Sequence, residues 1–208
     1  MEAFPLKRAA GKSGAGVKRV RRLPGRAAPP PRAIFLVGFM GAGKSSVGRA
    51  LAERLRWAFI DLDERLEVRH RRKIADIFRQ DGEAQFRRWE SEELRRIVEE
   101  VEGNAGYAAV VALGGGTFVQ PANVSTLSHC GYTVFLDAPV EELWERAQMA
   151  AGTRPLALSE NHFRQLYVQR RSRYMEADHH VQTGGRQTEA VATEIAALLG
   201  QVGEGEPQ

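Results

Sequence analysis

A glycine-rich octet at residues 38–45, Gly-Phe-Met-Gly-Ala-Gly-Lys-Ser, carries the clearest chemical signature of the chain. Its three glycines lack a Cβ atom, so the backbone can turn with positive φ and approach an anion closely. An apolar run precedes the octet and apolar residues at helical spacing follow it, which is the setting of a phosphate-binding loop. The pattern predicts that Lys44 neutralises the β- and γ-phosphates of ATP and that Ser45 binds a Mg²⁺ ion. The residues expected to contact the nucleotide here are Gly41, Ala42, Gly43, Lys44, Ser45 and Ser46.

Two acids and a triple glycine follow later apolar runs. Asp61 and Asp63 lie two residues apart, and on an extended chain they project to the same side. One could hold water around the Mg²⁺ ion while the other meets a hydroxyl of a second substrate. The alternative is a helix N-terminus, where acids are also favoured. Gly114, Gly115 and Gly116 indicate a backbone that comes close to a ligand or to another chain segment.

A basic pair lies on a long helix predicted from about Glu83 to Val101. The apolar spacing of this helix gives it one buried face, formed by Phe86, Glu90, Leu94, Ile97, Val98 and Val101. Arg87 faces either a ligand or solvent, whereas we interpret Arg88 as an exposed residue.

From Ala33 onward, strands alternate with helices along the chain. The predicted strands cover residues 33–37, 57–61, 108–113, 132–136 and 180–183. The predicted helical segments are 46–55, 64–72, 74–78, 83–101, a helix starting at 121, 140–149, 161–174 and 188–199, and a loop at 150–160 carries Arg154. This alternation predicts a parallel sheet with helices on both faces, and ligands at the carboxyl ends of its strands. The octet, the two acids and the triple glycine all fall at those ends, which favours an enzyme site.

Charge is distributed unevenly over the 208 residues. The net charge is +4, but residues 1–32 alone carry +8, so residues 33–208 carry −4. We expect 1–32 to be a disordered basic Arg/Pro-rich tail, with a transit peptide, a nucleic-acid contact or a misassigned start left open, and 201–208 to be a disordered C-terminal tail. No apolar run approaches the ~20 residues that span a bilayer, and the single Cys130 fits a reducing compartment. The sequence therefore predicts a cytoplasmic protein with no membrane partner, expected to be a monomer.

Several motifs together resemble the shikimate kinase family. They are residues 38–45, Phe-Ile-Asp-Leu-Asp at 59–63, Ile-Ala-Asp-Ile-Phe at 74–78, Asp-Gly-Glu-Ala-Gln-Phe-Arg at 81–87 with Glu90, Leu-Gly-Gly-Gly at 113–116 and Arg-Pro-Leu at 154–156. The resemblance covers about residues 33–200. It implies a P-loop fold of the nucleoside-monophosphate-kinase type, with a five-stranded parallel sheet and a mobile lid. It also implies transfer of the ATP γ-phosphate to the 3-hydroxyl of shikimate, a step of chorismate and aromatic amino acid biosynthesis.

On the acceptor side, the resemblance implies a role for each matching residue. Asp63 resembles the aspartate that binds the shikimate hydroxyls and is the candidate base. Arg87 and Arg170 resemble the two arginines that bind the carboxylate, and Arg171 is the alternative to Arg170 as the second of them. The triple glycine resembles the backbone that lies against the ring of the substrate.

On the nucleotide side, three residues outside the octet have counterparts in the family. Asp61 resembles the acid that reaches Mg²⁺ through water, and Arg154 resembles the lid arginine that closes onto the phosphates. Arg186 lies where the family often places an adenine-side residue.

Two alternatives stay open. The first is a P-loop kinase of another small hydroxy acid such as gluconate. The second is a non-catalytic nucleotide-binding protein, regulatory or associated with nucleic acid, that the basic tail anchors.

Overall fold

A parallel five-stranded sheet forms the centre of the protein. The computed structural model describes residues 32–149 and 159–203, and within them the strand order is β2-β3-β1-β4-β5. The strands are β1 Ala33–Val37, β2 Ala58–Asp61, β3 Ala109–Ala112, β4 Gly131–Asp137 and β5 His179–Gln182, and all the pairings are parallel. Each strand lies within one residue of its predicted bounds. The parallel sheet is therefore confirmed.

Seven helices cover this sheet in the described part of the chain. They are α1 Lys44–Leu55, α2 Leu62–His70, α3 Ile74–Gly103, α4 Pro121–Leu127, α5 Val140–Met149, α6 Glu160–Tyr174 and α7 Thr188–Gly203, with a 3₁₀ turn at Thr117–Val119. Every residue of β1 and β3 is buried, which requires cover on both faces of the sheet. Helix α7 overlaps the first three residues of the predicted C-terminal tail, because Gly200 does not interrupt it.

Helix α3 consists of two segments that meet at Gly82. This glycine has φ 78° and ψ 167°, a backbone conformation that other residues rarely adopt, and it kinks the helix. The kink separates the predicted turn at 74–78 from the predicted helix that starts near Glu83. The predicted buried face of the second segment is confirmed, including the fully buried Glu90.

The extended conformation predicted for residues 61–63 is wrong. Helix α2 begins at Leu62, directly after β2. The side chain of Asp61 caps it by accepting hydrogen bonds from the backbone N–H groups of Asp63 (3.0 Å) and Glu64 (3.3 Å). The two acids therefore stand at a helix N-terminus, which is the alternative left open by the sequence. Both line a pocket at the carboxyl ends of the strands.

Helix α6 begins one residue earlier than predicted, at Glu160, because Ser159 caps it by accepting the N–H of His162. The predicted lid residues 150–158, Arg154 among them, lie outside the described residues, as do residues 1–31 of the basic tail. Cys130 is buried, and burial raises the pKa of its thiol to about 11. None of the described helices is both long enough and apolar enough to cross a membrane.

Candidate active site

A pocket of about 540 Å³ opens at the carboxyl ends of the strands. It brings together most of the residues that the sequence predicted for two substrates. These are Gly41, Gly43, Lys44, Ser45, Ser46, Asp61, Asp63, Arg87, Gly114, Gly115, Gly116 and Arg170. Segments from five parts of the chain therefore meet in one cavity.

The glycine-rich loop forms one wall of this pocket. Gly41 has φ 82°, and a Cβ atom there would lie 2.5 Å from the carbonyl oxygen of Leu143, so both its conformation and its packing require glycine. Gly43, at φ 83°, precedes α1, which has no side-chain cap and no acid in its first turn. The amide N–H groups that start this helix can therefore bind an anion. The Lys44 ammonium donates to the carbonyl oxygens of Gly38 (2.9 Å) and Phe39 (3.0 Å), which hold it beside the loop.

Ser45 and Asp61 meet beside this loop. The Ser45 hydroxyl donates to Asp61 Oδ2 at 2.6 Å, while Asp61 Oδ1 caps helix α2. Both side chains offer the hard oxygen ligands that Mg²⁺ prefers. In the described residues, no group of three or more His, Cys, Asp or Glu side chains could hold a metal. Because Mg²⁺ usually keeps several waters and phosphate oxygens among its six ligands, the two oxygen-bearing side chains of Ser45 and Asp61 fit such an ion.

The opposite wall carries Arg87 and Glu90 from α3. Arg87 Nη1 donates to Glu90 Oε2 at 2.9 Å and Nη2 to Glu83 Oε1 at 3.0 Å, and its side chain is 14% exposed. Glu90 is fully buried, and its Oε1 accepts the hydroxyl of Thr117 at 2.7 Å. Burial opposes the charge of Arg87, but its interactions with Glu90 and Glu83 outweigh this and raise the pKa of the guanidinium. Arg87 therefore stays charged and oriented at the pocket wall.

The triple glycine fits between these side chains. A Cβ atom at Gly114 would lie 2.6 Å from Glu90 Oε1 and 2.9 Å from Asp63 Oδ1, and one at Gly116 would lie 2.4 Å from Arg87 Nη1. These distances are shorter than any ordinary contact of a Cβ atom, so larger residues would displace the charged groups. The close approach predicted for this backbone is made, in this structure, to the side chains of α2 and α3.

Arg170 and Arg171 lie on different sides of α6. Arg170 is buried, donates to the carbonyl oxygen of Gly115 at 3.2 Å and lines the pocket. Arg171 instead donates to Asp137 Oδ2 at 2.7 Å and to the Tyr167 hydroxyl at 3.1 Å. The geometry therefore favours Arg170 over Arg171 as the arginine that meets a ligand in this pocket.

A smaller pocket of about 260 Å³ adjoins the loop on its other side. Ala42 and Arg186 line it, and it shares Ser46 and Gly43 with the main pocket. Arg186 is itself paired with Glu194 (2.6 Å) and with the carbonyl oxygen of Gln182 (2.9 Å).

Sequence reasoning missed several residues that line the main pocket. Arg146 of α5 lines both pockets and pairs with Glu142 at 2.8 Å. In the sequence it is one charge on the polar face of an amphipathic helix, which is indistinguishable from an exposed residue. Phe78 and Phe86 form an apolar wall, with ring centroids 4.5 Å apart. The motif around residues 74–87 could have pointed to these rings.

Comparison with known proteins agrees with this geometry. The family model of shikimate kinase matches residues 40–199. The shikimate kinase of Thermus thermophilus is 43% identical over 173 residues, which cover 82% of this chain and 91% of the relative. That of Persephonella marina is 35% identical over 168 residues, covering 81% of this chain and 99% of the relative.

Solved structures give the same result. The shikimate kinase from Acinetobacter baumannii in complex with shikimate superposes with a TM-score of 0.77 at 33% identity, covering 86% of this chain and 97% of that one. A gluconokinase from Sinorhizobium meliloti shares the fold, with a TM-score of 0.51 at 20% identity over 84% of this chain and 95% of that one. With its P-loop kinase fold and its match to the family model over most of its length, the chain belongs to the shikimate kinase family.

Proposed function

We propose that this protein is an ATP-dependent phosphotransferase that phosphorylates the 3-hydroxyl of shikimate. The observation that carries the proposal is that one cavity joins a phosphate-binding loop to two arginines, one of them buried and the other 14% exposed. Arg87 and Arg170 line this cavity together with Lys44 and Asp63. Two guanidiniums suit one carboxylate, because each binds it in a planar, bidentate manner and stays charged. The two arginines therefore favour an acceptor that carries a carboxylate.

In this mechanism, the protein mainly positions the two substrates and neutralises charge. Asp63 orients the acceptor hydroxyl and takes its proton as the oxygen attacks the γ-phosphorus. The bond from that phosphorus to the β–γ bridging oxygen breaks, and ADP leaves with the bonding electrons. Lys44 and the N–H groups at the start of α1 stabilise the charge on the phosphate oxygens. Each group thus acts on atoms that gain charge during transfer.

The remaining roles follow from the family resemblance and the placement of the side chains. Ser45 and Asp61 would hold the Mg²⁺ ion, Asp61 through water, and the ion would supply neutralisation of the phosphate charge. Arg154 would close onto the phosphates from the predicted lid. Ala42, Ser46 and Arg186 would border the nucleotide in the smaller pocket. A cytoplasmic location and a monomeric state remain predictions.

A coupled assay of ADP release tests the proposal directly. Shikimate, gluconate and the methyl ester of shikimate are offered as acceptors with MgATP, and the product is identified by ³¹P NMR. We expect turnover with shikimate, a phosphate monoester at its 3-hydroxyl, and at least about 100-fold lower kcat/KM for the ester, which lacks the carboxylate charge. Equal or higher kcat/KM with gluconate would show instead a kinase of another hydroxy acid.

A truncation addresses the non-catalytic alternative. The Arg32 carbonyl accepts the N–H of Ala109 at 2.9 Å, so the cut is best made before Arg32. Removal of residues 1–31 should leave the turnover of shikimate unchanged. Absence of turnover in both the full chain and the truncated one would favour a nucleotide-binding protein without kinase activity.

A further inference from the structure

Outside the ligand pocket, α3 carries a deeply buried carboxylate, Glu93, whose side chain is 1% exposed. It pairs with Arg69 Nε at 2.5 Å, with Arg65 Nε at 3.1 Å and with Arg96 Nη1 at 3.4 Å. Arg96 lies on α3 itself, but Arg65 and Arg69 belong to α2. One buried charge of α3 therefore binds two cations of the neighbouring helix.

This contact fixes α2 against α3. Arg65 and Arg69 are four residues apart, which places both on the same face of α2. Arg65 also reaches Glu100 at 3.0 Å, and farther along, His70 of α2 stacks on Trp89 of α3 with ring centroids 4.0 Å apart. Because guanidinium–carboxylate contacts are directional, they restrict sliding and rotation of the two helices more than apolar contacts do.

Packing alone does not account for a charge at this position. A buried ion pair is often no more stabilising than an apolar side chain of similar size, because both charges lose their hydration. Burial opposes the charge of Glu93, but its hydrogen bonds with Arg69 and Arg65 outweigh this and lower the pKa of the carboxyl group. Glu93 therefore stays ionised, and its directional contacts are retained.

The two helices that Glu93 joins carry the acceptor side of the pocket. Asp63 lies two residues before Arg65, about 3 Å along α2, and Arg87 lies six residues before Glu93, about 9 Å along α3. Side chains of both helices converge near Gly114, where Asp63 Oδ1 and Glu90 Oε1 would both lie within 3.0 Å of an added Cβ atom. A shift between α2 and α3 would therefore move Asp63 relative to Arg87.

We propose that Glu93 is a positioning residue that sets the placement of Asp63 relative to Arg87, and thereby the binding of the acceptor. Glu93 contacts no substrate and acts through Arg65 and Arg69. The proposal rests on the proposed function, since it assigns the effect to the acceptor and not to the nucleotide.

The first experiment compares Glu93→Gln with Glu100→Gln. Glu93→Gln keeps the size of the side chain but removes the charge that Arg65 and Arg69 share. We expect KM for shikimate to rise about tenfold, with KM for ATP within about twofold of the original protein. Glu100 binds the same Arg65 but is 42% exposed, so Glu100→Gln should change neither constant by more than about twofold. Equal changes in both constants, or no change in either, would overturn the proposal.

Arg69→Gln covers the case in which Glu93→Gln does not fold. Arg69 is 43% exposed, so this variant removes the α2 side of the contact at a position that tolerates substitution. The same selective rise in KM for shikimate, reduced to about threefold because Arg65 remains, would support the proposal. An unchanged KM for shikimate in Arg69→Gln would overturn it.

Amide hydrogen exchange of the ligand-free protein separates this inference from the proposed function. In Glu93→Gln, or in Arg69→Gln if only that variant folds, exchange in α2 should be at least about fivefold faster than in Glu100→Gln, while α1 is unchanged. If shikimate proves not to be the acceptor, the proposed function fails, but this comparison still shows whether Glu93 holds α2. Equal exchange in α2 would overturn the positioning role.

Discussion

The two walls of the pocket are built in different ways. The nucleotide wall is mostly backbone from one contiguous octet, with Lys44 held by the carbonyl oxygens of Gly38 and Phe39. The acceptor wall is made of side chains from three separate helices, namely Asp63 of α2, Arg87 of α3 and Arg170 of α6. Phosphate recognition is thus a local property of the sequence, whereas recognition of the acceptor depends on how distant helices are held together.

Arginines of the acceptor wall are already oriented by the protein. Arg87 is held by Glu90 and Glu83, and Arg170 by the carbonyl oxygen of Gly115. A substrate carboxylate would therefore meet donors that need little reorganisation on binding. Damage to the nucleotide wall should mainly lower kcat, and damage to the acceptor wall should mainly raise KM for shikimate.

The largest effect is expected for Lys44→Ala. Because Lys44 is the point charge of the nucleotide wall, its loss should lower kcat by about 10³-fold or more. The measurement is ADP release at saturating ATP and shikimate. Lys73→Ala is the matched control, since that lysine side chain is 76% exposed, and it should leave kcat unchanged. A kcat for Lys44→Ala within about tenfold of the original would contradict the role of Lys44.

A change in KM is expected for Arg87→Ala. Loss of its charge-assisted hydrogen bonds should raise KM for shikimate about 100-fold and leave KM for ATP nearly unchanged. The neighbouring Arg88→Ala is the control, because Arg88 is exposed and bonds Gln85. Arg87→Ala also leaves the buried Glu90 without its cation, so Arg87→Lys is measured beside it to keep the charge. An effect confined to ATP would contradict the assignment.

Most of the nucleotide wall could be predicted from the sequence because its geometry is local. The octet has three spaced glycines followed by a lysine and a serine, and it stands between a strand and a helix. Few structures other than a phosphate-binding loop fit this pattern. The acids at 61 and 63 show the limit of this reasoning. Their location in the pocket was predicted correctly, but their backbone was not, because the Asp61 side chain caps α2 and ends the strand at once.

The two arginines of the acceptor wall could be assigned to a substrate carboxylate only through the family resemblance. Arg87 and Arg88 are adjacent residues of the same type. Only the fold shows that Arg87 is 14% exposed and lies beside Glu90. Likewise, no pattern in the sequence distinguishes Arg170 from Arg171, whereas a rotation of about 100° around α6 places one at the pocket and the other at Asp137. The ion pairs of Glu93 join residues 24 and 28 positions apart, and no short motif records them.

A smaller effect is expected for Gly116→Ala. Its backbone, at φ −110°, allows alanine, but the added Cβ atom would lie 2.4 Å from Arg87 Nη1. Arg87 must then move, and KM for shikimate should rise about tenfold while the fold persists. Gly103→Ala is the control, because an added Cβ atom there has no neighbour within 4 Å. If Gly116→Ala leaves KM for shikimate unchanged, the orientation of Arg87 does not matter for binding.

The smallest effect is expected for Arg171→Ala, measured against Arg170→Ala. Arg171 is 42% exposed and pairs with Asp137, which also accepts from Tyr167 and Gln182, so its loss should cost only about 1 kcal/mol of unfolding free energy. Thermal or urea unfolding gives this value, and kcat/KM for shikimate should stay within about threefold. Arg170→Ala should instead raise KM for shikimate at least about tenfold, because it removes a donor from the pocket. Were Arg171→Ala to give the larger rise in KM, helix α6 would have to rotate when the substrate binds, and the acceptor wall would be formed by the substrate and not before it.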